Sequence, residues 1–292
     1  MIKIALGTAQ IGIKYGIKNK FKKVKEKESS LIINNLKKHN INYIDTARYY
    51  GNAEEIIGNN NTAKIKIITK IPKLDLRKNI KNQINNYLYT SLIKLKKNKI
   101  YAALLHDENQ IKSKKGKIIL KELQKLKYKK LVSKVGISLY DPKTIYELNR
   151  MKFIPDIVQI PYSIMDRRFD KDNLLNKLKK QNIEIHVRSI FLQGLLLMNL
   201  NNLDFYFKNF KSDLMKIHEI AESYRISVKE LCFFFVLQNK NIDLLIIGID
   251  NFNQLKELKN IKKKFQKYKY KNFKFKITDY KKKFILPSKW KL

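Results

Sequence analysis

Short apolar runs and longer amphipathic stretches alternate along the whole chain. The runs Ile2–Gly7, Tyr43–Thr46, Ile65–Thr69, Tyr101–Leu105, Lys134–Ser138, Ile157–Ile160, Glu184–Ser189 and Leu244–Gly248 have the length of strands and are too short for helices. Between them, stretches such as SSLIINNLKKHN, IKNQINNYLYTSLIKLKKN and KIILKELQKLKYKK repeat apolar residues at helical spacing. Strands that alternate with helices imply right-handed crossovers and a parallel sheet. Eight such units in about 260 residues predict a (β/α)8 TIM barrel, an α/β fold of one domain. The barrel is expected over 1–260, with 261–292 as a basic, aromatic C-terminal segment packed on it. A doubly wound sheet is the alternative. Its first βα turn usually carries G-x-G-x-x-G, whereas LGTAQIGIKYG places glycines at 7, 12 and 16.

Composition narrows the function. Of 292 residues, 44% are apolar, enough for a core. The single cysteine, Cys232, sits in the apolar run LCFFFV and reads as a buried core thiol. One cysteine forms no internal disulfide and suits a reducing compartment. The first residues hold no signal-peptide pattern, and no apolar run reaches the roughly 18 residues of a membrane span. A cytoplasmic protein is expected. The net charge of +38 suggests a polyanion partner. The excess is mostly Lys spread from end to end, with little Arg, so most of it is assigned to solvated helix faces. In Lys262–Lys283, basic and aromatic residues alternate, a pattern able to clamp single-stranded nucleic acid. Packing of its aromatics, Phe265, Tyr268, Phe273 and Phe275, on the barrel wall is preferred, and no specific nucleic-acid partner is expected.

A barrel of this kind does its chemistry at the C-terminal ends of its strands. Strand 2 ends in Asp45, with Tyr50 in the following loop. Strand 3 ends in Lys70 and strand 4 in His106. A carboxylate at a buried strand end needs a cation, and Lys70 is its expected partner. The pair is expected to lower the pKa of Tyr50, which then donates a proton to a carbonyl oxygen that His106 orients. His39 and His218, in polar helical stretches, are expected to be exposed. His186, alternating with Arg188, is expected inside the barrel. No Cys/His cluster has metal spacing.

DTARYYGNAEEIIG resembles the D-T-A-x-x-Y-G-x-x-E-x-x-I-G signature of the aldo-keto reductases, matching at Asp45, Thr46, Ala47, Tyr50, Gly51, Glu54 and Gly58. The resemblance extends over about residues 1–260. It implies catalytic roles for Asp45, Tyr50, Lys70 and His106, and reduction of an aldehyde or ketone with NADP(H), NAD(H) not being excluded. It also implies a cofactor site. Gly7 and Thr8 would stand at the end of strand 1. Ser138 in KVGISLY and Gln159 in VQIPYSIMDRR would bind the carboxamide. Arg188, Ser189, Leu192, Gln193 and Gly194 in VRSIFLQGLL would hold nicotinamide and pyrophosphate. Gly248, Asp250, Asn251 and Gln254 in IIGIDNFNQLKE would hold the adenosine end. The chain is similar to a short bacterial branch with members encoded among surface-polysaccharide genes, so a sugar-derived carbonyl is a candidate substrate. The branch also fits the terminal LPSKW.

Several positions depart from the family pattern. Leu139 replaces a frequent Asn, and Arg188 replaces a Tyr that stacks on nicotinamide. Gln254 stands where Arg often binds the 2′-phosphate, and Asp250 beside it would repel that phosphate. The chain enters strand 1 without the N-terminal hairpin that covers the barrel floor in many members. A monomer or weak homo-oligomer is expected. The alternative function is a catalytically silent barrel that binds polyanions through its Lys-rich surface.

Overall fold

The computed structural model describes residues 2–17, 22–267, 282–287 and 290. Eight parallel strands close into one barrel in sequence order: β1 Lys3–Gly7, β2 Tyr43–Asp45, β3 Lys66–Ile71, β4 Ile100–Leu105, β5 Val132–Ser138, β6 Ile157–Pro161, β7 Glu184–Arg188 and β8 Leu244–Gly248. Every expected strand is present, with ends shifted by two residues or fewer. β8 pairs with β1 over five register positions, Lys3 with Leu244 through Gly7 with Gly248, which closes the ring.

The helices that clad the barrel follow their strands: α1 Glu26–Asn35, α2 Ala53–Gly58, α3 Ile80–Leu95, α4 Gly116–Tyr128, α5 Lys143–Arg150, α6 Leu174–Lys180, α7 Lys211–Ser223, α8 Val228–Leu237 and α9 Phe252–Lys267. α3 shows why these sequences are helical. Asn79 caps its first turn by accepting from the Asn82 N–H (2.9 Å). Ile80, Ile84, Leu88, Leu92 and Leu95 recur every three or four residues and are buried. Lys96, in the left-handed region, ends it. α8 is apolar nearly all round because it is buried, Cys232 included, and a Ser227/Glu230 capping box starts it. No helix among the described residues is long and apolar enough to cross a membrane.

The barrel separates two apolar regions. A small inner cluster, with Ala5, Ile68, Ala102, Leu104, Ile157 and Ile246, fills the barrel's middle. The larger cluster joins the outer faces of the strands to the helices. Past α9, a short helix at Lys282–Ile285 brings Phe284 against Phe210, ring centroids 4.5 Å apart. Trp290 packs on Phe207 at 4.9 Å and donates to the Phe284 carbonyl (3.0 Å). Phe265, late in α9, packs on Phe234. Most of the basic aromatic stretch, including Tyr268, Phe273 and Phe275, lies outside the described residues. His39 and His218 are part-buried, not exposed as expected. Helix packing has covered them, and His39 sits edge-on to Phe252 at 5.9 Å.

Two glycines set the loop after β2. The helical turn Ala9–Gly12 lies against the Tyr50–Gly51 turn so closely that a Cβ on Gly12 would stand 1.6 Å from the Tyr50 carbonyl oxygen. Gly51 adopts φ +54° and faces the Gly12 carbonyl. Gly12→Ala therefore forces the Tyr50 turn outward. It is expected to cost about 1–3 kcal/mol, the range for overpacking a tight contact, measured as a lower urea midpoint at unchanged slope. An unaltered midpoint would show that this turn has room to move.

Candidate active site

The C-terminal mouth of the barrel gathers the polar residues predicted from the strand ends. Lys70, near the end of β3, is 1% exposed, and its Nζ donates to Asp45 Oδ1 at 2.5 Å and to the Thr46 carbonyl at 2.9 Å. The other Asp45 oxygen accepts from Gln159 Nε2 at 2.7 Å. Thr8 closes the back of this group by donating from Oγ1 to the Asp45 carbonyl (3.0 Å). Lys70 is thus the buried partner that the sequence required of Asp45. Glu54, also in the signature, is buried and accepts from Thr69 Oγ1 (2.6 Å), fixing α2 onto β3.

Tyr50 stands over the ion pair, its ring centroid 5.4 Å from Lys70 Nζ and 6.3 Å from the His106 ring, which it meets edge-on. Burial raises the Tyr50 pKa, and Asp45 adds to that; Arg188 pulls it down. The expected lowering is therefore not realised in this site. Burial likewise pushes Lys70 below the usual lysine range, with Asp45 opposing the shift. His106 is neutral: burial, then the charges of Lys70 and Arg188, depress its pKa to about 3. Its Nδ1 is buried without a hydrogen-bond partner among the described residues.

Arg188 lies across the same mouth. Its guanidinium is stacked 4.2 Å from the Tyr140 ring centroid and makes long contacts with the Ser138 and Ser189 hydroxyls (3.4 and 3.5 Å). A deep cleft leads away from Tyr50 and His106. Gly7, Thr8, Ser189, Gln193, Gly194, Gly248, Asp250 and Gln254 line it. The loops after β1 and β7 meet over it, where the Ile17 N–H donates to the Gln193 carbonyl (3.1 Å). Ser189, Leu192, Gln193 and Gly194 all have positive φ, which folds the β7 loop back on itself.

Four expected cofactor residues do not line the cleft. Leu192 is fully buried in the core and its N–H is taken by the Ser189 carbonyl (3.0 Å). Asn251 is exposed and accepts from the Gln254 N–H at 3.0 Å, a helix cap for α9. Ser138 and Gln159 are buried behind the mouth rather than on its open wall. The sequence reading missed Tyr15, Tyr140 and the C-terminal Ile285 and Pro287, all of which line the cleft. Burial pushes Tyr15 up to about 12. Tyr140 could have been found from its place two residues beyond Ser138. Glu108 holds its loop by accepting from the Tyr140 and Asp141 N–H groups (3.1 Å each).

The model of the aldo/keto reductase family matches residues 3–276. The chain belongs to the aldo/keto reductase family. It is therefore an NAD(P)H-dependent oxidoreductase of carbonyl compounds in general. Solved reductases share the fold at low identity. An aldo-keto reductase from Bacillus halodurans, in its holo form, is 19% identical, with a TM-score of 0.70 over 89% of this chain and 86% of that one. An aldo/keto reductase from Klebsiella pneumoniae, solved with NADP and acetate, is 16% identical with a TM-score of 0.65 over 88% and 84%. A glycerol dehydrogenase from Gluconobacter oxydans is 21% identical with a TM-score of 0.66 over 90% of each chain. No curated protein matches the sequence.

Buried groups of this aldo/keto reductase suit the cofactor. Gln159 Oε1 and Asp250 Oδ1 are buried acceptors without partners among the described residues. A carboxamide and a ribose hydroxyl are the donors that would satisfy them.

The depressed pKa of His106 has a measurable sign. The unfolded chain binds a proton at this ring near its ordinary 6.5, while the folded chain binds it only near 3. Stability held by the neutral ring is complete above 6.5 and is lost as pH falls toward 3. In NMR, the His106 ring signals are expected to stay neutral through about pH 5 to 8, and a titration midpoint near 6.5 would show that the ring is not buried as described.

Proposed function

We propose that this mouth reduces an aldehyde or ketone to its alcohol with Tyr50 as the general acid. The observation that carries the reading is the joint placement of Tyr50 above the Asp45–Lys70 pair and beside the neutral His106. The nicotinamide supplies the hydride to the carbonyl carbon when bound. Tyr50 gives its hydroxyl proton to the carbonyl oxygen. Its raised pKa keeps that proton in place through the neutral range. Lys70 and Arg188 both carry positive charge toward the tyrosinate left behind, and Asp45 fixes Lys70 where it can do so. Neutral His106 directs a ring nitrogen to the same oxygen and orients it. Similarity to the surface-polysaccharide branch makes sugar-derived carbonyls the first class to assay.

Ser138 and Gln159 would hold the carboxamide, Ser189, Gln193 and Gly194 the pyrophosphate, and Gly248, Asp250 and Gln254 the adenosine end. Gln254 Oε1 is already engaged with the Asp250 N–H (2.9 Å), and Asp250 keeps a buried carboxylate oxygen without a partner among the described residues. A carboxylate accepts from a ribose 2′-hydroxyl and repels a 2′-phosphate. Lys229, on the cleft wall, is held by Glu257, which reduces its service to a phosphate. Preference for NADPH is accordingly weak.

Tyr50→Phe keeps the ring and removes the proton. Carbonyl reduction is expected to fall about 10²- to 10⁴-fold, the typical worth of a general acid, while cofactor affinity is preserved. Near-full turnover in this variant would remove Tyr50 from the mechanism. Titrating both cofactors by quenching of protein fluorescence is expected to show at most about tenfold discrimination, or about 1.4 kcal/mol. A preference for NADPH of several hundredfold would mean that another cation, Lys256 first among them, takes the phosphate.

A further inference from the structure

The opposite mouth of the barrel carries chemistry that carbonyl reduction does not use. There the inward positions of the strands are Lys3 on β1, Tyr43 on β2, Lys66 on β3, Lys134 on β5 and Glu184 on β7. Their register partners, Leu244, Ala102 and Ile157 among them, belong to the inner cluster. The lysines converge on one aromatic pair. Lys66 Nζ is 5.4 Å from the Tyr43 ring centroid and 5.0 Å from that of Tyr101. Lys3 is 5.7 Å from Tyr43, and Lys134 is 5.7 Å from Tyr101. A concave opening beside them is lined by Lys3, Lys64, Lys66 and Lys262 with Asn40, Asn42 and Tyr43, and by no carboxylate.

The charges here do not balance. Glu184 is the carboxylate of the inner ring, and it is saturated. It accepts from Lys134 (2.5 Å), from Tyr101 (2.8 and 2.9 Å) and from His186 Nε2 (3.1 Å). Burial works against its charge, yet these bonds hold its pKa at about 2. In the adjoining opening, Asp243 is bound to Lys179 (2.8 Å). Lys3, Lys66 and Lys262 have no carboxylate partner among the described residues. Lys262 is part-buried and burial alone depresses its pKa.

Lysines whose stems cover apolar surface while their ammonium groups reach water would be the ordinary account of a Lys-rich chain. That account spreads the charges apart. Here they are drawn together in a concavity, where like charges repel and the field is concentrated. We propose that the floor of the barrel binds a small, multiply charged oxyanion of the phosphate class, held by Lys3, Lys66 and Lys262. The same chemistry is presented by free phosphate and by a phosphate monoester.

The test is calorimetric titration of the full chain at physiological salt with inorganic phosphate and, separately, with glycerol 3-phosphate. It is run on wild type and on two triple variants of equal charge change. One is Lys3→Gln, Lys66→Gln, Lys262→Gln at the floor; the other is Lys81→Gln, Lys117→Gln, Lys121→Gln on exposed helix faces. Wild type is expected to bind one anion saturably. The floor triple should weaken it by about tenfold or more, the sum of three modest ion pairs, and the control by less than about twofold. Tighter binding of one probe identifies whether free phosphate or the ester is the better fit, and either supports the site. Lys66→Gln alone, expected to weaken binding about threefold, serves if the floor triple does not fold. Equal loss in both triples, absence of saturable binding, or saturation by a single-stranded oligonucleotide but by neither phosphate probe would overturn the proposal.

Discussion

The buried ammonium of Lys70 is the constraint on which the C-terminal mouth of the barrel depends. A lone cation at 1% exposure is too costly to keep, so Asp45 must stand at 2.5 Å and the Thr46 carbonyl at 2.9 Å. Asp45 then has one oxygen left, and Gln159 takes it from the far side of the barrel. Three strands are thereby pinned at one height. Thr8 ties β1 to the same point through the Asp45 carbonyl. The ring of Tyr50 is laid over the result by the Gly12 contact beneath its loop. The order of causes runs from burial to pairing to position.

The barrel is polar at both ends and apolar between. Its middle is filled by small and branched residues, which isolates the upper ion pair from the lower lysines. At the upper end, Arg188 has no carboxylate partner among the described residues and rests on the Tyr140 ring and two hydroxyls. The lower end is strongly positive. A net charge of +38 can be read as composition alone, but where the lysines stand distinguishes a solvated face from a site. On α3 and α4, Lys81, Lys117 and Lys121 point outward singly. At the floor they share two tyrosine rings.

The barrel was legible because period and length are local: each strand is a short apolar run between amphipathic stretches. The strand-end polar group was legible because strand ends can be read in order, and a carboxylate that must be buried demands a cation. Loop geometry carries no such period. Tyr15 and Tyr140 reach the cleft through turns whose course depends on contacts with Gln193 and Glu108, residues distant in sequence. Leu192 was placed on the cleft wall by motif, but positive φ from Leu192 to Gly194 turns its side chain into the core. The direction of the Tyr50 pKa was missed for a different reason. Burial acts on the hydroxyl and on Lys70 together, and a sequence shows the pair but not the depth.

A double-mutant cycle on the ion pair tests this account most directly. Asp45→Asn and Lys70→Met each leave a buried partner uncompensated, and each is expected to lower unfolding free energy on the order of 3–5 kcal/mol. Because the double variant leaves neither charge stranded, its loss should fall short of the sum by about 1–3 kcal/mol. Strict additivity of the two losses would contradict the claim that this pair holds the mouth of the barrel together.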